Sequence, residues 1–344
     1  MTLNPFKIPS PYLLFTGEAT SPQTTGKTAA GVAYWSKEKC LGQLWLESTR
    51  LDLGLPHFGL REAVEKGAQT LLIGVSALGG KFEEKWIGLF VEALKNGLHL
   101  AAGLHTRLSD VPQIKEAAEK YHRKLFDVRY YDGPVPLSRA EKRIGKRLLT
   151  VGTDCAVGKM YAALAITEAL KKEGVDATFR ATGQTGILIA GSGIAIDNIA
   201  ADFLFNAVEL LSPNAPANHW DIIEGQGALF HPQSAGGSLF LVHGSQPDVM
   251  VLCHNPARKT MSDFERYPIP DLAEYIRAYE EAARLTNPNA RVEGISLNTS
   301  QFKEKEKKHE LIKIHEQKYG LPCFDPVLTG VHPFVDAFIT RHGR

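Results

Sequence analysis

A chain of 344 residues, 44% hydrophobic and 22% charged, is long enough for two domains and ordinary for a protein with a sizeable core. Its 39 Lys+Arg against 38 Asp+Glu leave a formal net charge of +1, which gives no reason to expect nucleic acid or an anionic membrane as partner. Cys40, Cys155, Cys253 and Cys323 are far apart with no C-x-x-C pair, which argues against a disulfide framework or zinc cluster and for free thiols in a reducing compartment.

The start, MTLNPFKIPSPYLLFTGEAT, holds one short apolar run broken by prolines and does not read as a signal peptide. No run approaches roughly 18 apolar residues, so no membrane span is expected and the cytoplasm is the default. From there strand and helix alternate, the pattern of an α/β fold with a parallel sheet. YLLF (12–15) reads as a strand, followed by a helix from about Thr28. GQLWLES (42–48) is a strand, and GLREAVEKGA a helix stopping at Gly67. TLLIGVS (70–76) is a continuous apolar run, as in a central strand buried on both faces. In EEKWIGLFVEALKNG, Trp86, Leu89, Phe90, Ala93 and Leu94 share one helical face. LHLAAGLH (98–105) is the next strand. DVPQIKEAAEKYH reads as a helix with Asp110 as N-cap and Pro112 in its first turn. KLFDVRY closes the set.

YDGPVPLSRAEKRIGK (131–146), with two prolines and a basic cluster, is the best linker, with the cluster read as a solvated connector. The boundary is placed near residue 145, giving domains 1–145 and 146–344. The second part restarts the alternation with strands RLLTVG, DATFRAT, WDIIEG, DVMVLCH, VEGISLN and LPCFDPV. Helices are expected at about 159–173, 197–211, 270–286, 302–319 and 333–341. The run KEKEKKHE (303–310) is read as the exposed side of a helix that buries Leu311, Ile312, His315 and Tyr319.

The clearest chemistry is in GTDCAVGKM (152–160), a strand end, a turn carrying Gly158-Lys159, and a helix. Such a turn points backbone N–H groups into a concavity at a helix N-terminus, with Lys as a point charge for phosphates. Two features depart from the common phosphate loop. Five residues rather than four separate Gly152 from Gly158, so Thr153 holds the first position at strict spacing. Met160 stands where a magnesium-ligating Ser or Thr belongs. Downstream, WDIIEGQG ends an apolar strand in Glu224, suited to an outer metal ligand, a base, or a cap of the following turn. A second Gly-Lys, in SPQTTGKTAAG (21–31), is followed by Thr28 but has few glycines before it and reads as a helix start.

GTDCAVGKM together with EGQG resembles the dethiobiotin synthetase family, whose phosphate loop also runs Gly-Thr-Asp-x-x-Val-Gly-Lys. A broader resemblance covers nearly the whole chain. TAAGV, LLIGVSALGG, GLHTRLSD, VGTDCAVGKM, RATGQTGILIAGSGIAIDNIAADF, EGQGALFHP, HGSQPDVMVLCH, ISLNTS and DPVLTG resemble, in this order, a two-domain family long labelled only as a domain of unknown function. It joins an N-terminal Rossmann-like domain to a C-terminal P-loop NTPase-like domain with a mainly parallel sheet, and at least one member is a D-glutamate N-acetyltransferase. The resemblance implies acetyl-CoA as co-substrate, no required metal, and D-glutamate or a related acidic amino acid as acceptor. Pyrophosphate can be held by backbone N–H groups and Lys159 without phosphoryl transfer, which makes the hydroxyl lacking at Met160 dispensable.

Under that reading the donor-binding residues are Thr153, Asp154, Cys155, Ala156, Val157, Gly158, Lys159 and Met160. Asn298 joins them because dethiobiotin synthetase-like proteins contact adenine there. Amide formation needs a proton acceptor, and Glu224, His231 and Asp154 are the candidates; Asp154 could equally order the loop. The substrate carboxylates call for cations and amides, hence Arg180, Gln184, Thr185, Gln226, His254 and Arg258. Cys155, near a helix N-terminus, is either an acyl acceptor or a small residue that fits the loop. The competing readings are an ATP- and magnesium-dependent ligase or kinase like dethiobiotin synthetase, and a non-catalytic nucleotide-binding regulator. GVSALGG (74–80) lacks G-x-G-x-x-G, so NAD is not expected. The expected partners are small molecules, with a homo-oligomer of dimer size or larger.

Overall fold

The strands of the two large sheets are mostly apolar and parallel, and the central ones are covered on both faces. The computed structural model describes residues 6–22, 25–46, 51–75, 83–137 and 140–344. Two compact units emerge: Asn4–Asp132 with Gly183–Asn198, and Gly133–Thr182 with Ile199–Arg344.

The first unit carries β1 (Tyr12–Gly17), α1 (Lys27–Trp35), β2 (Cys40–Trp45), α2 (Leu60–Glu65), β3 (Thr70–Ile73), α3 (Ile87–Lys95), β4 (His99–Ala102), α4 (Pro112–Lys120) and β5 (Leu125–Asp127). Its sheet runs β2-β1-β3-β4-β5, all parallel. Every residue of β1 and β3 is buried. Phe15 meets Trp86 and Phe90 edge-on, both at 5.4 Å between ring centroids. The expected Asp110 cap is not formed. Val111 is the N-cap of α4, and Asp110 lies in a single 3-10 turn, Leu108–Asp110. α4 has no side-chain cap, and Asp127 serves the preceding turn, accepting from Leu108 N at 2.7 Å and Ser109 Oγ at 2.9 Å.

The second unit carries β6 (Lys146–Gly152), α5 (Lys159–Lys172) and β7 (Ala177–Arg180). After Thr182 the chain passes to the first unit for Gly183–Asn198, which includes the short helix α6 (Gln184–Ala190). It then returns through α7 (Leu204–Leu211), β8 (Trp220–Ile223), α8 (Ala235–Ser245), β9 (Val249–His254), β10 (Thr260–Met261), β11 (Phe264–Pro268), α9 (Leu272–Arg284), β12 (Arg291–Leu297), α10 (Lys305–Tyr319), β13 (Cys323–Phe324) and α11 (His332–His342). The large sheet is parallel in the order β13-β12-β9-β6-β8-β7, with β10–β11 a separate antiparallel hairpin. The strand before the loop is thus central, flanked by β9 and the strand leading to Glu224.

Several sequence expectations change. Helices α6 and α8 lie where no helix was expected, and helix 197–211 begins only at Leu204 after two 3-10 turns. The basic stretch is a solvated connector only in part, with Lys142 exposed. Arg143 is buried, donating to the carbonyls of Gly244 (2.6 Å) and Ser245 (3.1 Å). Arg147, 1% exposed, donates to Ser212 Oγ and to the carbonyls of Arg143, Gly145, Ile144 and Pro213. A guanidinium leaves water only where acceptors surround it. Among the described residues, no helix is long and apolar enough to cross a membrane.

Candidate functional site at the phosphate-binding loop

The loop between β6 and α5 takes its shape from two left-handed residues, Ala156 (φ 52°) and Gly158 (φ 99°). Alternating handedness turns successive N–H groups to one side, which is the geometry of an anion-binding nest. Close packing fixes two glycines nearby. A Cβ on Gly152 would lie 2.9 Å from Lys159 Nζ, and one on Gly225 would lie 1.7 Å from the Thr150 carbonyl oxygen. Lys159 is 7% exposed, and its Nζ donates to the Asp154 carbonyl at 2.8 Å. Burial pushes its pKa down, countered by the nearby Cys155, Cys253, Asp154 and Glu224. Met160 is half-buried and brings no oxygen to the loop.

Asp154 is fully buried and is the hub of the loop. Its Oδ1 accepts from Cys155 N at 2.6 Å, with His231 Nε2 at 3.7 Å. Its Oδ2 accepts from Arg258 Nη1 at 2.7 Å and Ser262 N at 2.9 Å. Arg258 also donates to the Cys155 carbonyl at 2.6 Å. His231 is held from both sides. Its Nδ1 accepts from Gln233 N and Ser234 N, both at 3.2 Å, so the ring proton sits on Nε2, facing Asp154 and the Ser262 carbonyl (3.4 Å). Asp154, Cys155 and His231 bring possible metal-ligating atoms within 4.8 Å of one another. They do not fit a metal ion: both Asp154 oxygens are already engaged, one of them by a cationic guanidinium that would repel it.

Two tyrosines absent from the sequence reading close the loop from behind. Tyr275 Oη donates to the Thr153 carbonyl and Tyr279 Oη to the Gly152 carbonyl, both at 2.8 Å. Tyr279 Oη also accepts from Leu229 N at 3.0 Å. Burial pushes the Tyr279 phenol up to about 12, so it stays a donor at neutral pH. Their four-residue spacing puts both on one face of α9, which was legible, though their target was not.

Glu224, just past β8, accepts from Thr182 N through Oε2 at 3.0 Å, while its carbonyl accepts from Thr182 Oγ1 at 2.7 Å. Gln226 Nε2 donates to Thr182 Oγ1 at 3.1 Å. These bonds clasp the residue at which the chain leaves the unit. His254, 8% exposed, meets Thr153 Oγ1 at 3.0 Å, and burial, with His315 and Arg258 adding, lowers its pKa to about 4. Asn298 lies beside the loop: a Cβ on Gly158 would come within 3.8 Å of the Asn298 Cβ. Its Oδ1 accepts from Ser300 N at 3.1 Å. Cys155 is half-buried with its Sγ 3.5 Å from Ser234 Oγ. Val157 packs with Ala162 and Cys253.

Both arginines expected at substrate carboxylates are paired with protein. Arg258 binds Asp154, and Arg180 Nε donates to Asp221 at 2.6 Å. Gln184 and Thr185 fall in the first unit. Gln184 accepts from Arg129 Nη1 at 3.1 Å, and Thr185 Oγ1 lies 3.0 Å from Thr28 Oγ1.

Two family models match successive parts of the chain. Residues 40–131 match the family described as "Domain of unknown function (DUF1611_N) Rossmann-like domain", and residues 136–335 match "Domain of unknown function (DUF1611_C) P-loop domain". A D-glutamate N-acetyltransferase of Pseudoalteromonas sp is 43% identical over 329 residues, 96% of this chain and 98% of that one. A second, of Tritonibacter scottomollicae, is 43% identical over 330 residues with the same coverage. The crystal structure of a DUF1611 family protein from Anabaena variabilis superposes with a TM-score of 0.87 at 31% identity, covering 96% of this chain and all of that one.

Proposed function

The chain belongs to this DUF1611 family, and from that premise we propose that it is an N-acetyltransferase acting on D-glutamate. The supporting observation is 43% identity over 96% of the chain to two enzymes of that name. We further propose acetyl-CoA as the donor. The amine of the acceptor attacks the thioester carbonyl, the C–N bond forms, the C–S bond breaks, and CoA leaves as a thiolate that takes up a proton. The ammonium of free D-glutamate must first lose one.

In this reading the loop grips the pyrophosphate of the donor. The nest at 155–159, the start of α5 and the Lys159 ammonium supply the charge. Asp154, His231, Arg258, Ser262, Tyr275 and Tyr279 hold that loop in shape. The acetyl carbon of acetyl-CoA lies a pantetheine arm away from the pyrophosphate, and Asp154 and His231 are hydrogen-bonded into the loop itself. We therefore place them, and the Glu224 clasp, on the donor side of the reaction rather than at the amine.

The test is direct. Purified protein with acetyl-CoA and D-glutamate should release free CoA, and acetyl-CoA should raise the melting temperature where ATP with magnesium does not, since a cognate ligand stabilises by mass action. CoA release with no amine acceptor at all would remove the acceptor; stabilisation by ATP with magnesium alone would return the loop to the ligase or kinase reading. Glu224→Gln adds a further check. It should raise KM for acetyl-CoA, whereas a fall in kcat with loss of the acid limb of the pH profile would make Glu224 the proton acceptor.

A further inference from the structure

We propose that the Rossmann-like unit carries a carboxylate-binding subsite for the amino-acid acceptor, centred on Arg129; the inference rests on the acetyltransferase reading above. Arg129 follows β5 at the C-terminal edge of the first sheet, the edge where open parallel sheets bind ligands. Its side chain is 8% exposed. Nη1 donates to the Gly103 carbonyl at 3.0 Å and to Gln184 Oε1 at 3.1 Å, and Nη2 donates to Asp197 Oδ2. Nε is buried with no hydrogen-bond partner. A guanidinium so withdrawn from water needs a carboxylate opposite it.

The carboxylate it has is a displaceable one. Arg180 and Arg258 are paired with Asp221 and Asp154, whose side chains are 2% and 0% exposed and cannot leave without stranding a buried charge. Asp197 is 53% exposed and can turn into water. The surroundings suit an amino acid. Gln184 points its Oε1 at Arg129, which directs its amide donors away from the guanidinium. Thr185 and Thr28 place a hydroxyl pair 3.0 Å apart in the same unit. Gly103 keeps Gln184 close to the strand end, since a Cβ there would lie 2.4 Å from the Gln184 Cβ. An acidic acceptor presents a planar carboxylate to the Arg fork, the pairing such forks favour. In the free protein Asp197 stands in for that carboxylate.

The experiment is initial-rate kinetics on the full chain with acetyl-CoA and D-glutamate. Arg129→Gln should raise KM for D-glutamate about tenfold to a hundredfold, the loss of one charge-assisted contact, and leave KM for acetyl-CoA within about twofold. Asp197→Asn, at an exposed position, should lower KM for D-glutamate severalfold by removing the internal competitor. If Arg129→Gln fails to fold, Asp197→Asn decides alone. A D-glutamate KM that is unchanged or raised in Asp197→Asn, or unchanged in folded Arg129→Gln, overturns the subsite. Wild-type protein that acetylates no amine overturns the acetyltransferase reading instead, a result that none of these variants can produce.

Discussion

Among the described residues, two Gly-Lys pairs stand between a buried parallel strand and a helix, and they differ in what surrounds the pair. At Gly158-Lys159 the glycine is left-handed, the lysine is buried, and Ala156 is left-handed as well. At Gly26-Lys27 the glycine has φ −108°, the lysine is exposed, and the following Thr28 is buried against Thr185. The second turn has the hydroxyl that the first lacks, yet its hydroxyl is 3.0 Å from another side chain. What makes the first a phosphate-binding loop is its handedness and the shell around it, not the dipeptide.

The largest effect expected from that difference is steric. Gly225→Ala would put a Cβ 1.7 Å from the Thr150 carbonyl, which is backbone of the strand feeding the loop. Gly26→Ala would put one 2.0 Å from Leu51 Cδ2, the far end of a flexible side chain. Forced overpacking against backbone costs about 3 kcal/mol or more, while a leucine tip can move for about 1 kcal/mol. Urea melts of the two variants should separate accordingly, and equal losses would show that the loop is no more constrained than its counterpart.

Acid should act next most strongly, through His254. Its folded pKa of about 4 lies below its ordinary value of 6.5 because burial disfavours the imidazolium, with His315 and Arg258 adding to it. The unfolded chain therefore binds a proton that the folded chain refuses. Stability falls as pH drops through about 6.5 and the loss is complete near 4, on the order of 3 kcal/mol. Denaturation midpoints between pH 7 and 4.5 should decline in wild type and flatten in His254→Gln.

Binding of the donor tests the same contrast at a smaller scale. Lys159→Ala should weaken acetyl-CoA by about 1.5–3 kcal/mol, roughly tenfold to a hundredfold or slightly more, as expected for a charged hydrogen bond. Lys27→Ala, at an exposed position, should change binding by less than about 0.5 kcal/mol. Calorimetric titration reads both, and a Lys27 effect of equal size would erase the distinction between the turns.

How much of this was legible depended on sequence distance. The apolar runs at 70–73 and 249–254 announced strands, the first of them central, and Gly158-Lys159 announced the loop. AGGSLFLVHGS and QTGILIA hid helices because neither has a clean polar face and both carry glycines. Arg180 and Arg258 looked available to substrate because their partners, Asp221 and Asp154, lie 41 and 104 residues away in sequence. The excursion at 183–198 was equally hidden: nothing local says that a glycine-rich stretch between two strands of one sheet packs with another unit.

The smallest effect sharpens the comparison most, because it touches the shell alone. Tyr279→Phe removes one hydroxyl that donates to the Gly152 carbonyl and accepts from Leu229 N. The buried Gly152 carbonyl, the part-buried Leu229 N–H and the Ser238 hydroxyl lose a partner, so stability should fall by about 1–3 kcal/mol, near the lower end if water replaces the hydroxyl. The nest N–H groups and Lys159 remain in place. If the loop holds its shape through this shell, acetyl-CoA should bind more weakly in Tyr279→Phe by about twofold to fivefold, within the range set by a single neutral hydrogen bond. If affinity is untouched while stability falls, the left-handed turn at Ala156 and Gly158 suffices for the grip, and the tyrosines serve folding only.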